Sequence, residues 1–598
     1  MERNNKISDR SVAVGNGKMC AFLQGADITQ IFGPDYSTLS FFSMRLKDKN
    51  IYVKSHHLYH SPVRVHEIFE GENKIGTLTD WIDCEDNIFY RAFDLNREIG
   101  FRIQTGADTA WLSSSENVLF TPKTACVFFF YPSGTDAYLK VSGKNCSMLT
   151  DERGAELTLQ PGKGRIAFAT AYSVGECEDI LAKSTDSESL NRTVKHWNAF
   201  FDGLSIFGKI KDSKVCAKHP EVYKLLEEIA LAIKVQQSDT GAYIAGEFYH
   251  LCYVRDQYYV SRYLIAFEMY EEARKLLSYY FGVFKKYGHI KNAQDLAMRG
   301  VFHEHENDSA EITSCLILQA FDYYKATKDK DFIDEIMPML LWANGLQNSG
   351  IHNNMLSFNG DETYVAGGLL PRTCLNDGSS EATFLYIESE KALLSYLNQN
   401  APGLIKPEWE NNYSTVKNSF LDNFFNGKII ITNNPKRRDR LIYAETRKGV
   451  CEDCGSFSQL YNSGEYYVCP ACLNKKREKK TRDIYSINAV ALTMLFIDND
   501  TVPREILKSQ VKEIEDRIRS FSGRAVGYEY GMLLDAKIKF GDNDAEQWLE
   551  TMIDIVDESG VYSEYYDNGR PTGCSYRPWE SAVNAEAILR YIRFCENK

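Results

Sequence analysis

Ser309–Ala326 reads SAEITSCLILQAFDYYKA, and the spacing of its apolar side chains decides the character of the second half of the chain. Ile312, Cys315, Leu316, Ala320 and Tyr323 fall on one face of a helix, the period of an element that buries a single stripe. The final segment repeats the pattern with Ala582, Ala585, Leu589 and Ile592. Working outward, helical spacing holds from about Asp212 to the end and predicts twelve helices, near 220–237, 256–267, 271–286, 309–326, 330–346, 381–398, 407–425, 484–497, 503–520, 527–539, 544–558 and 580–595. Toward the N-terminus the period changes. From about Ser11 to about Gly203 short runs alternate sides, as in NIFYRAFDL at Asn87–Leu95 and GFRIQT at Gly100–Thr105, with Gly- or Asn-containing turns between many of them.

The expected architecture is therefore an antiparallel β-sandwich over 1–203, a linker over 204–219 that HWNAFFDGLSIFG enters as a connecting helix, and a helical domain over 220–598. A chain of 598 residues exceeds one ordinary core, in keeping with two domains. Connections in the helical part alternate in character. Those joining the second and third, fourth and fifth, and tenth and eleventh helices are a few residues long; those entering the sixth, eighth and twelfth are long and polar. Twelve helices in six pairs suit a closed (α/α)6 barrel whose long loops share one rim, and long ordered loops are usually functional.

Acids stand beside aromatics on that rim. EFYHLCYVRDQYY carries Tyr253, Arg255 and Asp256, and HEHENDSAE carries Asp308. Either Asp is equally read as a helix N-cap. SFNGDETYVAGGLLPRTCLNDGSSEATF holds Asp361 and Glu362 among glycines, GRAVGYEYG holds Tyr528, and GVYSEYYDNGRPTGCSYRPWESAVNAEA holds Glu564, Arg577, Trp579 and Glu580. Carboxylates that grip hydroxyls and rings that stack on an apolar sugar face are the mixture a carbohydrate site uses. Hydrolysis of a glycoside needs a protonated carboxyl to donate to the leaving oxygen and an ionised one opposite it, which the topology supplies as Glu362 and Glu564. Tyr562, Tyr565 and Tyr566 are expected to hydrogen-bond the Glu564 carboxylate.

These segments resemble glycoside hydrolase family 15, the glucoamylase, glucodextranase and trehalase group, within the clan shared with the maltose and trehalose phosphorylases. CYVRDQYYVSRYLIAFEMYEEA resembles the family's Trp-x-Arg-Asp substrate segment, with Tyr253 at the aromatic position, and RPWESAVNAEAIL resembles the start of its last helix. The resemblance implies a β-sandwich before an (α/α)6 barrel and an inverting α-glucosidase acting at non-reducing ends. It also implies Glu362 as general acid, Glu564 as general base, and Arg255 and Asp256 on sugar hydroxyls. Glu580 is a second candidate base, alternatively only a helix N-terminal charge. NGDETY departs from the Trp-Glu-Glu-like context of the family and is closer to the Gly-Pro-Asp-Glu-Tyr of the phosphorylases. A phosphorylase and a non-catalytic sugar-binding protein are the alternatives; Glu564 is superfluous in the first, and the pair of glutamates in the second.

One segment stands outside the resemblance. CEDCGSFSQLYNSGEYYVCPACLNKKREKK, within an insertion over 448–480, pairs Cys451 with Cys454 and Cys469 with Cys472, fourteen residues apart. This is zinc-ribbon spacing, and four thiolates leave no open coordination position, so the expected zinc is structural. No organic cofactor is expected. A balance of 69 Lys+Arg against 82 Asp+Glu speaks against nucleic acid or an anionic membrane as partner, and the basic run KKREKKTR reads as a solvated face. With no apolar leader in the opening residues and fifteen scattered cysteines, the expected compartment is the cytoplasm.

Overall fold

The computed structural model describes every residue except 1–9, 37–39, 106–108, 115–117, 123–136, 152–153, 184–185, 304–307, 358–377, 438–445, 451–456, 464–465, 469–474, 479–489, 521–523 and 598. The chain divides into two compact units. One comprises Met1–His303, Arg524–Leu534 and Gly541–Lys598; the other comprises Glu304–Gly523 and Asp535–Phe540.

The first unit begins with two antiparallel sheets. Seven strands lie in the spatial order Val12–Gly15, Cys20–Gln24, Asp27–Phe32, Phe42–Leu46, Ile99–Thr105, Gly154–Leu159 and Cys146–Asp151. Eight lie in the order Thr109–Ser114, Val118–Pro122, Tyr138–Lys144, Gly162–Ala171, Ile88–Leu95, Asn73–Ile82, Arg64–Glu70 and Ile51–His57. The alternation in NIFYRAFDL has two buried sides. Phe89 packs on Phe168, which meets Phe42 of the seven-stranded sheet with ring centroids 5.0 Å apart, so the two sheets face each other there. Ile88 and Tyr90 point the other way, into an apolar cluster with Val63 and Trp81.

Helices cover that cluster. α1 (Val174–Lys183) and α2 (Asp186–Gly203) bring Ile180, Leu181, Leu190 and Val194 against it, and Trp81 Nε1 donates to Ser189 Oγ at 2.9 Å. The strand-like pattern expected to about Gly203 thus ends at Ala171. CEDILAK places Cys177, Ile180 and Leu181 at helical spacing, and that stripe has a sheet face to bury against. The segment 204–219, expected as a linker, contains α3 (Ser205–Lys211) and α4 (Lys214–Lys218).

The remaining helices are α5 (Pro220–Val235), α6 (Val254–Ala266), α7 (Tyr270–Tyr287), α8 (Asp308–Thr327), α9 (Lys330–Ser349), α10 (Ser380–Asn400), α11 (Pro407–Phe424), α12 (Val490–Phe496), α13 (Arg504–Arg519), α14 (Glu529–Phe540), α15 (Ala545–Asp554) and α16 (Pro578–Glu596). They stand where the periodicity places twelve helices, with 484–489 of the expected eighth helix outside the described residues. Two kinds alternate. α6 and α16 in the first unit, and α10, α12 and the N-terminal half of α8 in the second, are buried on nearly every side. α7 and α15 in the first unit, and α9, α11 and α13 in the second, bury one stripe and expose the other. Among the described residues no helix is long and apolar enough to cross a membrane.

Between α11 and α12 the second unit carries a four-stranded antiparallel sheet, Thr446–Val450, Phe457–Ser463, Tyr466–Val468 and Lys475–Glu478. The connections from Val450 to Phe457 and from Val468 to Lys475 leave the same end of it. Cys451, Cys454, Cys469 and Cys472 fall on these connections and lie outside the described residues.

Candidate active site

The site is built from the first turns of α6 and α16 and the loops that lead into them. A short antiparallel sheet of Cys252–Tyr253, Ala293–Gln294 and Phe302–His303 sets the entry to α6, with Val254 N donating to Asn292 O at 3.0 Å. The N-cap is Tyr253, which makes no side-chain cap bond. Asp256 is therefore not the cap. It is buried in the first turn, where its Oδ2 accepts from Arg577 Nη2 at 3.1 Å. Arg255, also buried, carries its guanidinium 5.1 Å from the Trp579 ring.

Arg577 is the hub. It caps the N-terminus of α16 and is 4 % exposed. Its Nε donates to Glu580 Oε2 at 3.0 Å, Nη2 to Asp256, and Nη1 to the carbonyl of Ala245, while the Tyr249 ring lies 5.2 Å from the guanidinium carbon. Burial works against the Arg577 charge, but Glu580, Asp256 and Glu564 outweigh it and push its pKa well above the usual arginine value. Glu580, fully buried, is not a solvated helix-end charge. Burial, partly offset by Arg577 and reinforced by Glu564 and Asp256, pushes it up to about 7.

Glu564 sits just before the hairpin of Tyr565–Asp567 and Arg570–Thr572. Its backbone is pinned on two sides, by Gly527 N donating to its carbonyl at 2.8 Å and by its own N–H donating to Cys574 O at 2.9 Å. The carboxylate Oε2 accepts from Cys574 N at 3.0 Å. Of the three tyrosines expected to donate, Tyr562 Oη donates to Met552 O, Tyr566 Oη accepts from Ser563 N, and the Tyr565 ring lies 4.6 Å from the Arg524 guanidinium carbon. The chain leaving the hairpin returns a main-chain N–H, that of Cys574, to the carboxylate. Gly573 permits this approach. Its φ of +69° is one that side-chain-bearing residues rarely adopt, and a Cβ there would lie 2.8 Å from Glu564 Oε2. Gly527 serves similarly on the other side, where a Cβ would fall 2.1 Å from Ser563 O.

Tyr528 and Trp579, expected as sugar-stacking rings, are 1 % and 4 % exposed. They stack on each other with centroids 4.8 Å apart, and Tyr259 stacks on Trp579 at 5.6 Å. Tyr253 is half-buried and meets Tyr249 edge to face at 6.4 Å. The first unit thus groups Tyr253, Arg255, Asp256, Tyr528, Glu564, Arg577, Trp579 and Glu580. Asp308 opens α8 in the second unit, with its side chain outside the described residues, and Asp361 and Glu362 lie outside them altogether. Ala245, Tyr249, Tyr259 and Cys574 were not anticipated. Gly573, inside the long loop before α16, was the one available signal for the Cys574 contact. Among the described residues no group of three or more His, Cys, Asp and Glu side chains is placed to hold a metal ion.

No protein-family model and no curated protein sequence matches the chain. Among solved structures it is similar to a bacterial glucoamylase complexed with acarbose, at a TM-score of 0.64 and 12 % identity, over 100 % of this chain and 96 % of that one. A rhamnosidase from Klebsiella oxytoca with rhamnose bound aligns at a TM-score of 0.46 and 10 % identity, over 92 % of this chain and 96 % of that one. The chain has the fold of bacterial glucoamylase, an N-terminal antiparallel β-domain followed by a helical part.

Proposed function

We propose that the chain is an inverting glycoside hydrolase that releases α-linked glucose from the non-reducing end of a disaccharide or oligosaccharide. The observation that carries this reading is the grouping of Glu564, Asp256 and Glu580 about Arg577 at the starts of α6 and α16, in a glucoamylase-like fold. In the proposed reaction Glu362 protonates the leaving oxygen. Glu564 takes a proton from the water that attacks the opposite face of the anomeric carbon, which inverts it. Arg255 and Asp256 hold hydroxyls of the terminal sugar, Tyr253, Asp308 and Asp361 complete the sugar-binding set, and the buried Tyr528 ring backs Trp579. Trp579 supports Arg255, and Arg577 with Glu580 keeps Asp256 in place.

α5 to α16 are read as six hairpins of an (α/α)6 barrel, supported by the alternation of fully buried and one-sided helices. The 448–480 insertion is read as a zinc ribbon. Its support is the pair of Cys-x-x-Cys motifs, carried on connections that leave one end of the sheet, with four thiolates to saturate a tetrahedral ion. A reducing, cytoplasmic setting accords with nine cysteines that are free among the described residues.

The test is a panel of α-linked disaccharides and oligosaccharides incubated with and without phosphate, with products identified by NMR. Release of free glucose independent of phosphate supports the hydrolase. A sugar phosphate formed only with phosphate present moves the chain to the phosphorylases, and binding without turnover of any sugar makes it a carbohydrate-binding protein.

A further inference from the structure

The loop from Gly573 to Arg577 joins two functional groups: at one end the N–H that holds the Glu564 carboxylate, at the other the guanidinium that holds Asp256 and Glu580. Its conformation is costly. Gly573 takes its φ of +69° without strain, but Tyr576 has a φ of +55°, and for a tyrosine the left-handed region is unfavourable by about 1 kcal/mol or more. Such a backbone persists only where its surroundings over-determine it.

Those surroundings are the β-domain and α5. Ser575 Oγ accepts from Ser11 N and donates to Ser11 O, both at 3.0 Å, a reciprocal pair buried between residues 564 apart in sequence. Arg10 Nη1 donates to Gly573 O at 2.9 Å. Tyr576 O accepts from Gln236 Nε2 at 2.9 Å, at the C-terminus of α5. The end of α5 is itself tied to the sheets, since Tyr36 Oη accepts from Gly17 N at 2.9 Å and donates to Val235 O at 2.7 Å. Ser11 immediately precedes Val12–Gly15, the edge strand of the seven-stranded sheet. Just before that edge, Ser11 gives both its N–H and its carbonyl to Ser575.

We propose that Arg10, Ser11 and Ser575 are positioning residues for the Glu564 carboxylate, so that the leading strand of the β-domain is part of the catalytic apparatus. The proposal rests on the hydrolase reading of Glu564. Ser575→Ala removes both bonds to Ser11 and lets the loop relax toward ordinary φ, moving Cys574 N away from Glu564 Oε2.

The experiment compares full-length wild type with Ser575→Ala, Ser575→Thr and Arg10→Ala, with Leu157→Ala as a variant that destabilises the seven-stranded sheet far from the loop. Ser575→Ala is expected to lower kcat about tenfold with KM within about twofold, because a base misplaced by a fraction of an ångström still leaves sugar binding intact. Ser575→Thr, which keeps the hydroxyl, restores most of it. Arg10→Ala, at a partly exposed position where folding is secure, lowers kcat about threefold. Leu157→Ala lowers the thermal midpoint with kcat per folded molecule unchanged. The proposal is overturned if Ser575→Ala and Arg10→Ala behave like Leu157→Ala; if Ser575→Ala fails to fold, Arg10→Ala decides. Should wild type hydrolyse no glycoside, the functional reading fails separately. Crystal structures of the variants then decide the positioning claim: a Glu564–Cys574 contact opened in the variants upholds it, and an unchanged contact rejects it.

Discussion

Arg577, at the start of the last helix, donates to Asp256 in the first turn of α6 at 3.1 Å, joining residues 321 apart in sequence. The same guanidinium holds Glu580 and the Ala245 carbonyl, a planar fork with its donors aimed at three acceptors. Lysine has the charge without the fork. Arg577→Lys is expected to lower kcat/KM by roughly 100-fold, and Asp256→Asn by a similar factor with much of the loss in KM, the weight of a charge-assisted hydrogen bond of about 3 kcal/mol. Steady-state kinetics on the best glucoside of the panel measures both, and near-normal kcat/KM in either variant removes the fork from the site.

The two proposed glutamate roles separate by leaving group. Glu362→Gln should slow natural glucosides strongly and an activated aryl or fluoride glucoside much less, because a good leaving group needs little protonation. Glu564→Gln should slow both kinds alike, by roughly two to four orders of magnitude. If Glu580→Gln abolished hydrolysis in folded protein while Glu564→Gln kept it, the base would be Glu580.

Much of this was legible in periodicity and little of it in side-chain contact. The helices α8 and α16 declare themselves by the spacing of Ile312, Cys315, Leu316, Ala582 and Ala585, because burial of a stripe is a property of one segment. α1 and the first half of α2 do not stand out from the strands preceding them, since what makes them helices of the β-domain is the sheet face under Ile180 and Leu190, a partner far away in sequence, whereas HWNAFFDG, the second half of α2, opens the connecting helix that the sequence suggests. At the site, charged and aromatic residues in long loops were visible as types. Their partners were not. That Cys574 N, and not a tyrosine, holds Glu564 follows from a hairpin closing on itself around Gly573, and that Ser11 braces the loop follows from the tertiary fold.

In the second unit Glu390 of α10 is buried among amides of α9. It accepts from Asn344 at 3.3 Å, Gln347 at 3.3 Å and Asn348 at 3.1 Å, and burial, opposed by these donors, pushes it up to about 7. A carboxyl raised in the folded state contributes full stability below its ordinary value of 4.5 and loses it as pH rises through about 7, where the native state must surrender a proton it holds more tightly. The loss amounts to at most about 3 kcal/mol. Glu390→Gln cannot ionise, so its thermal midpoint should fall less than that of wild type between pH 4.5 and 8. Parallel curves for the two proteins would contradict the assignment.

Purified protein is expected to carry one zinc per chain, held by Cys451, Cys454, Cys469 and Cys472. Elemental analysis should find it, and Cys469→Ser should lose most of it. Substoichiometric zinc that Cys469→Ser leaves unchanged would set the ribbon aside.

The most direct test of the proposed reaction is the anomeric configuration of the first glucose released, followed by proton NMR from the earliest minutes of hydrolysis of an α-glucoside in phosphate-free buffer. A base that activates water on the face opposite the leaving group delivers β-glucose first, with the α-anomer appearing only as the product mutarotates. Initial release of α-glucose, or no release until phosphate is added, would contradict it.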